Sequence, residues 1–301
     1  MKSKAKNGAA RGTALIITAG VFWGSMGIFV RALGKYGLSS IQIVCLRLTV
    51  AAVVFAALHA VLERDKLWIS PRDIPLFLGL GLGSILFFTV CYFTAINMMP
   101  LSTAAILLYT SPIWVMLMSC VFFREKLSVK KLCALACAFG GCVLVSGLSR
   151  GGLNVLGLLI GLGSGIGYGL YSILGSVALN KYSPLTVTTY TFVIAALGAW
   201  VICAPGDMTA KLAAAPSFGQ LALLLVLTGL ITAVIPFAAY TRGLAAVEAS
   251  RAAILATVEP MVATLVGAVV FAEPVTLCAA LGIALILVSI VLLNLKAGEK
   301  Q

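Results

Sequence analysis

Two ionisable side chains stand deep inside apolar stretches: Arg47 in SSIQIVCLRLTVAAVV and Glu259 in AAILATVEPMVATLVG. A charge at the centre of a membrane helix costs about 2.5–3.5 kcal/mol on insertion scales, so each suggests a role in a pathway. Arg47 is about eight residues, or ~12 Å, from one end of its stretch, and Glu259 is about ten residues, or ~15 Å, from the far end of its own. Their depths match closely enough to allow pairing. One reading is a structural ion pair. The other is a substrate contact or a proton carrier, and the arginine at similar depth makes proton carriage the weaker branch.

Aromatic and hydroxyl side chains accompany them at helical spacing. Ser164, Tyr168 and Tyr171 share one helix face, and Thr186, Thr189 and Tyr190 share another. Trp23, Tyr109, Tyr168 and Tyr171 lie too far from the ends of their stretches for an interfacial aromatic belt. The candidate cavity lining is therefore Trp23, Arg47, Tyr92, Tyr109, Ser111, Tyr168, Tyr171, Tyr190 and Glu259. Aromatic walls carrying a few hydroxyls and opposite charges suit a small amphipathic organic solute. Pro112 and Pro260 each fall about twelve residues into a stretch. A proline there frees the carbonyl four residues back, Leu108 or Ala256. In hydrocarbon such carbonyls must face protein or a watery cavity. Gly157, Gly161, Gly165 and Gly169, four residues apart, clear one helix face for close backbone approach, and Gly163 and Gly167 clear a second. Tight static packing and a sliding surface both follow from that spacing.

The elements that must position these residues are membrane helices. Of the 301 residues, 61% are hydrophobic and 10% charged, where soluble domains carry about a quarter charged. Ten apolar stretches lie near 12–33, 39–62, 74–95, 101–123, 131–148, 153–179, 184–204, 218–240, 249–271 and 275–295. They are continuously apolar rather than alternating, so helices are expected, not barrel strands. The net charge of +12 is not a nucleic-acid signature. With the N-terminus cytoplasmic, 16 Lys and Arg fall in inside segments and 4 in outside segments. That bias places both termini inside, with residues 1–11 a basic, disordered tail and 296–301 a second tail. The eight cysteines contain no CxxC pair, and the single histidine, His59, reads as an interfacial residue, so no metal site and no cofactor follow. The first stretch is too long for a signal-peptide core and is expected to be retained.

The chain is also duplicated. Tyr92 to Glu125 aligns without a gap on Tyr240 to Glu273 at an offset of 148, with 11 of 34 positions identical. The identities include Ser102/Ser250, Pro112/Pro260 and Glu125/Glu273. Gly20, Trp23 and Gly24 are answered by Gly165, Tyr168 and Gly169 at an offset of 145. Five helices per half is an odd number, so the second half, 153–295, must enter from the side opposite the first, 12–148. Inverted repeats of this kind enclose a substrate site at their interface near mid-bilayer.

AAILLYTSPIW leading into FFREKLS, AAILATVEPMV leading into FAEPVT, and Gly20 to Gly24 with Trp23 resemble EamA-type members of the drug/metabolite transporter superfamily. The resemblance covers nearly the whole chain. It implies an all-α polytopic membrane protein with two inverted five-helix repeats around a central cavity. It also implies movement of small metabolites, often export, with amino acids, sugars, purine-like compounds and drugs in range. Pro274 stands where the first repeat has Lys126, so the loop after Glu273 is expected to differ in shape.

The function this supports is a secondary transporter of small organic metabolites in a bacterial cytoplasmic membrane, working by alternating access. Its partners are the lipid bilayer, a small-molecule substrate, and a proton or counter-substrate; nucleic acid is not among them. No GxxxxGK[ST] loop is present to drive transport with nucleotide. An enzyme would need clustered His, Asp or Cys, which the stretches lack. A receptor or scaffold without transport is the other alternative.

Overall fold

The computed structural model describes residues 2–147 and 154–295, and among them it contains only helices and their connections. Arg150, Lys296 and Lys300, three of the topology charges, and the 296–301 tail lie outside the described residues. Ten helices are long and apolar enough to cross a membrane: α1 Gly8–Gly34, α2 Ser40–Leu62, α3 Pro71–Met98, α4 Leu101–Phe123, α5 Val129–Ser146, α6 Val155–Leu179, α7 Pro184–Ile202, α8 Phe218–Leu244, α9 Ala249–Phe271 and α10 Leu277–Asn294. The short helix Pro205–Ala213 lies between α7 and α8. Its Asp207 is held against α2 by Gln42 Nε2 at 2.7 Å. Hydrogen bonds from Lys211 and Gln42 hold the Asp207 carboxyl below its usual range.

One expectation fails at the N-terminus. Residues 2–11 are not a disordered tail, because a single helix runs Lys2–Gly24. Once α1 is formed, each added Lys or Ala extends it without a new nucleus, and both are good helix formers.

The helix pairing maps onto itself when the halves are exchanged. α1 packs against α8 and α9, and its counterpart α6 packs against α3 and α4. α2 packs against α7, and α5 against α10. The repeat extends to local detail. α4 and α9 end on left-handed residues, Arg124 and Ala272, both at φ 53°. The next N–H reaches back in each case, Glu125 to Ser119 O and Glu273 to Gly267 O. Ser128 and Thr276 then cap the following helices. The loop after Glu273 therefore begins and ends as its counterpart does, despite Pro274 standing where the first repeat has Lys126. That proline falls in an irregular segment where no helical N–H is required of it. A feature without a sequence signal also repeats: α3 and α8 each contain π-helical turns, Gly79–Leu86 and Leu230–Val234.

The two ends of the bundle differ in charge. Lys66, Arg72, Arg124, Lys126, Lys130, Lys131, Lys181, Arg242 and Arg251 lie at the end where Lys130 meets Leu295 O, Arg251 meets Thr13 and Asn294, and Lys181 pairs with Asp73. Arg31, Lys35 and Lys211 lie at the other. These ends are called the basic face and the opposite face below.

Candidate functional site

The central helices are broken, and the breaks shape the site. α4 consists of Leu101–Leu108 and Ser111–Phe123, and α9 of Ala249–Ala256 and Val258–Phe271. Pro112 and Pro260 sit in the first turn of the second segments, where a missing N–H costs nothing. The expected interior kinks are thus full interruptions, with Tyr109 and Thr110 or Thr257 between the segments. Hydroxyls cover part of the exposed backbone: Thr110 donates to Leu107 O at 2.6 Å and Thr257 to Ile254 O at 2.7 Å.

Glycines press against these interruptions. A Cβ on Gly165 would stand 2.6 Å from Leu107 O, and one on Gly20 3.2 Å from Ala256 O. Further along, a Cβ on Gly169 would be 3.2 Å from Ser111 O and one on Gly24 2.7 Å from Glu259 O. The positions 20/165 and 24/169 thus do one job in both halves, closing α1 onto α9 and α6 onto α4. Gly157 and Gly161 continue the α6 seam against Met99 and Leu107, while Gly163 and Gly167 face Phe87 on α3.

Between these helices lies a cavity of about 480 Å³. Trp23, Arg47, Tyr92, Tyr109, Tyr168 and Glu259 all line it, joined by Phe88, Phe93 and Phe237. Its mouth is at the opposite face, where Arg31, Ser40 and Leu101 line it. Glu259 Oε2 accepts a hydrogen bond from Tyr168 OH at 3.0 Å. Arg47 is 6% exposed; its Nη1 contacts Met26 Sδ at 3.2 Å and its Nε has no hydrogen-bond partner. Among the described residues no ion pair joins Arg47 to Glu259. The structural pair that matching depth allowed is therefore not formed: equal depth does not set the direction of either side chain, and the two charges line the same cavity.

Ser111 and Tyr171 belong to a second, water-sized cavity of about 20 Å³, which also touches Trp23 and Tyr168. Beside it Tyr171 OH meets Thr241 Oγ1 at 2.6 Å and Ser172 Oγ meets Tyr240 OH at 2.7 Å. Tyr190 lines neither of these two cavities. It donates to Leu67 O at 2.6 Å and packs on Phe77 near the basic face. Its neighbours Thr186 and Thr189 turn toward α2, where Thr189 meets Phe55 O at 3.2 Å. His59, three residues from the end of α2, is buried there, with Nε2 3.4 Å from Thr186 Oγ1. The α7 face chosen from spacing is thus the packing seam with α2. Phe88, Phe93 and Phe237 escaped the sequence reading because nothing distinguishes a cavity phenylalanine from a core one.

Ten apolar helices in two related halves, enclosing a cavity with charged and aromatic walls, define a polytopic membrane protein. The profile of the EamA-like transporter family matches residues 10–147 and again 155–295, and the chain belongs to that family. An uncharacterized transporter of Archaeoglobus fulgidus is 32% identical over 284 residues, covering 93% of this chain and 95% of that one. A second transporter from that archaeon is 27% identical over 271 residues, 89% and 93% of the two chains. The transporter YwfM of Bacillus subtilis is 24% identical over 298 residues, 95% and 94% of the two chains. A solved crystal structure superposes with a TM-score of 0.79 over 95% of this chain and 96% of its own, at 19% identity, which is a likeness of fold.

Proposed function

We propose that this protein is a secondary transporter that exports small zwitterionic metabolites, amino acids or close relatives, across a bacterial cytoplasmic membrane by alternating access. The observation that carries this reading is the unpaired placement of Arg47 and Glu259 on the wall of one cavity. A substrate carboxylate suits the guanidinium, whose planar fork matches it in geometry. A substrate ammonium suits Glu259, and an apolar side chain suits the ring-lined remainder. Inverted repeats, the basic face in the cytoplasm and energy from exchange or a proton gradient complete the reading.

Purified protein in liposomes loaded with unlabelled leucine, methionine and phenylalanine is expected to accumulate the labelled amino acids by exchange above protein-free liposomes. Absence of exchange across a broad amino-acid panel overturns the substrate class. In a cysteine-free background, Lys126→Cys is expected to react with an impermeant maleimide only from the cytoplasmic side, and Lys35→Cys only from outside. The reverse pattern overturns the orientation.

A further inference from the structure

The cavity is open at one face because the two broken helices diverge there. Near the basic face the segment Ala249–Ala256 of α9 packs against Ser111–Phe123 of α4. No comparable packing joins the other two segments, Leu101–Leu108 and Val258–Phe271. α4 packs along α6, and α9 along α1, and α4 meets α9 at this end.

Polar contacts hold the closed end. Ser250 Oγ donates to Glu125, across from α9 to the end of α4. Lys131 pairs with Glu125 at 3.1 Å and Glu248 at 2.7 Å, and the Lys131 and Glu125 side chains are only 14% and 11% exposed. A pocket of about 230 Å³ lined by Glu125, Ser176, Asn180 and Glu248 is left at this end. The repeat carries Glu125 onto Glu273 and Ser250 onto Ser102, both on the opposite face. There the contact is not made. Glu273 is drawn instead to Arg31 Nη2 at 2.6 Å, and that guanidinium stacks 4.1 Å over Phe271. Arg31 belongs to α1, on Glu273's own side of the divide, and both partners are about half exposed.

We propose that Ser102 and Glu273 are the second latch of this protein, the counterpart of Ser250 and Glu125, and that the two latches close in alternation. When Ser250 leaves Glu125 and Lys131 releases Glu248, the basic face opens. Glu273 then exchanges Arg31 for Ser102, and Leu101–Leu108 closes on Val258–Phe271. The interruptions at Tyr109–Thr110 and Thr257 are the hinges, since the regular ladder breaks there: the N–H groups of Thr110 and Thr257 reach back three residues, to Leu107 O and Ile254 O. The inference rests on the alternating-access reading but not on the substrate.

Distances between spin labels test it in the full chain without any ligand. In a cysteine-free background, Lys126→Cys with Ala246→Cys reports the basic face, and Asn97→Cys with Val275→Cys the opposite face. Adding Lys131→Ala and Ser250→Ala is expected to lengthen the first distance and shorten the second. The ratio of short to long opposite-face distances rises about tenfold, the worth of one charge-assisted hydrogen bond. Arg31→Ala, which leaves the basic face intact, is expected to shift the same ratio in the same direction. Ser102→Ala with Glu273→Gln is expected to remove the shift in the Lys131/Ser250 variant. Unchanged distances in monodisperse Lys131/Ser250 and Arg31 variants overturn the latch. So does a basic face that opens without the other closing, and so does a shift that survives loss of Ser102 and Glu273. A failed amino-acid screen alongside reciprocal distance changes overturns the substrate class alone.

Discussion

Glu259→Gln is expected to weaken binding of an amino-acid substrate about ten- to a hundredfold, the effect of losing a charge-assisted hydrogen bond of about 1.5–3 kcal/mol. Thermal stability is expected to stay near wild type. A buried salt bridge broken on one side costs about 3–5 kcal/mol because the surviving charge is stranded. No such bridge joins Glu259 to Arg47, and the contact the carboxylate does make, from Tyr168 OH, is one a Gln carbonyl can accept. Arg47→Gln is expected to cost the same range of affinity through the substrate carboxylate, again with stability retained, since the guanidinium gives up only a weak contact from Nη1 to Met26 Sδ and its Nε has no partner. Substrate analogues separate the two roles. Deleting the substrate amine and the Glu259 charge together is expected to cost scarcely more than either alone, as for groups that touch each other. Additive losses, or a fall in melting temperature rescued by neutralising both residues, would remove Glu259 from the binding site. Loss of pH-driven net flux with retained substrate exchange in Glu259→Gln would make it the proton carrier instead.

Gly141→Ala is expected to have the largest effect on stability of any alanine substitution in α5. Its Cβ would stand 2.7 Å from Gly282 O, and a Cβ on Gly282 would stand 2.7 Å from Gly141 O. Each glycine therefore lies against the other's backbone, which cannot swing aside as a side-chain tip can. Overpacking of this kind costs about 1–3 kcal/mol, occasionally more. Gly140→Ala is the control, because the nearest atom to its Cβ is Leu285 Cδ1 at 3.9 Å. Matching melting curves for the two variants would show that α5 and α10 can separate without cost. The α5–α10 pair is where static packing is expected. Movement is expected instead where Leu101–Leu108 of α4 faces Val258–Phe271 of α9.

Much of the architecture was legible in the sequence because it depends on quantities that add along the chain. Apolar length sets the ten helices, and a fixed offset betrays the duplication whatever the packing. Pro112 and Pro260 marked the interruptions, and Gly20, Gly24, Gly165 and Gly169 marked the seams beside them, because a missing N–H or a missing Cβ has the same consequence in any fold. Direction was not legible. Each residue turns a helix by about 100°, so Tyr168 and Tyr190 looked equivalent until packing aimed one at Glu259 and the other at Leu67. Arg47 and Glu259 share a depth, yet depth leaves the azimuth of each helix free, and the fold turned both to the cavity without joining them. Gly141 and Gly282 carried no signal, since their contact exists only once α5 meets α10. The two ends of the repeat are likewise equal in sequence at Ser102/Ser250 and Glu125/Glu273, and a single conformation must treat them unequally. What only the tertiary structure decides is which pair meets: Ser250 reaches Glu125 while Glu273 turns to Arg31, a choice set by the packing of α4 and α9 at one end and carried by no residue alone.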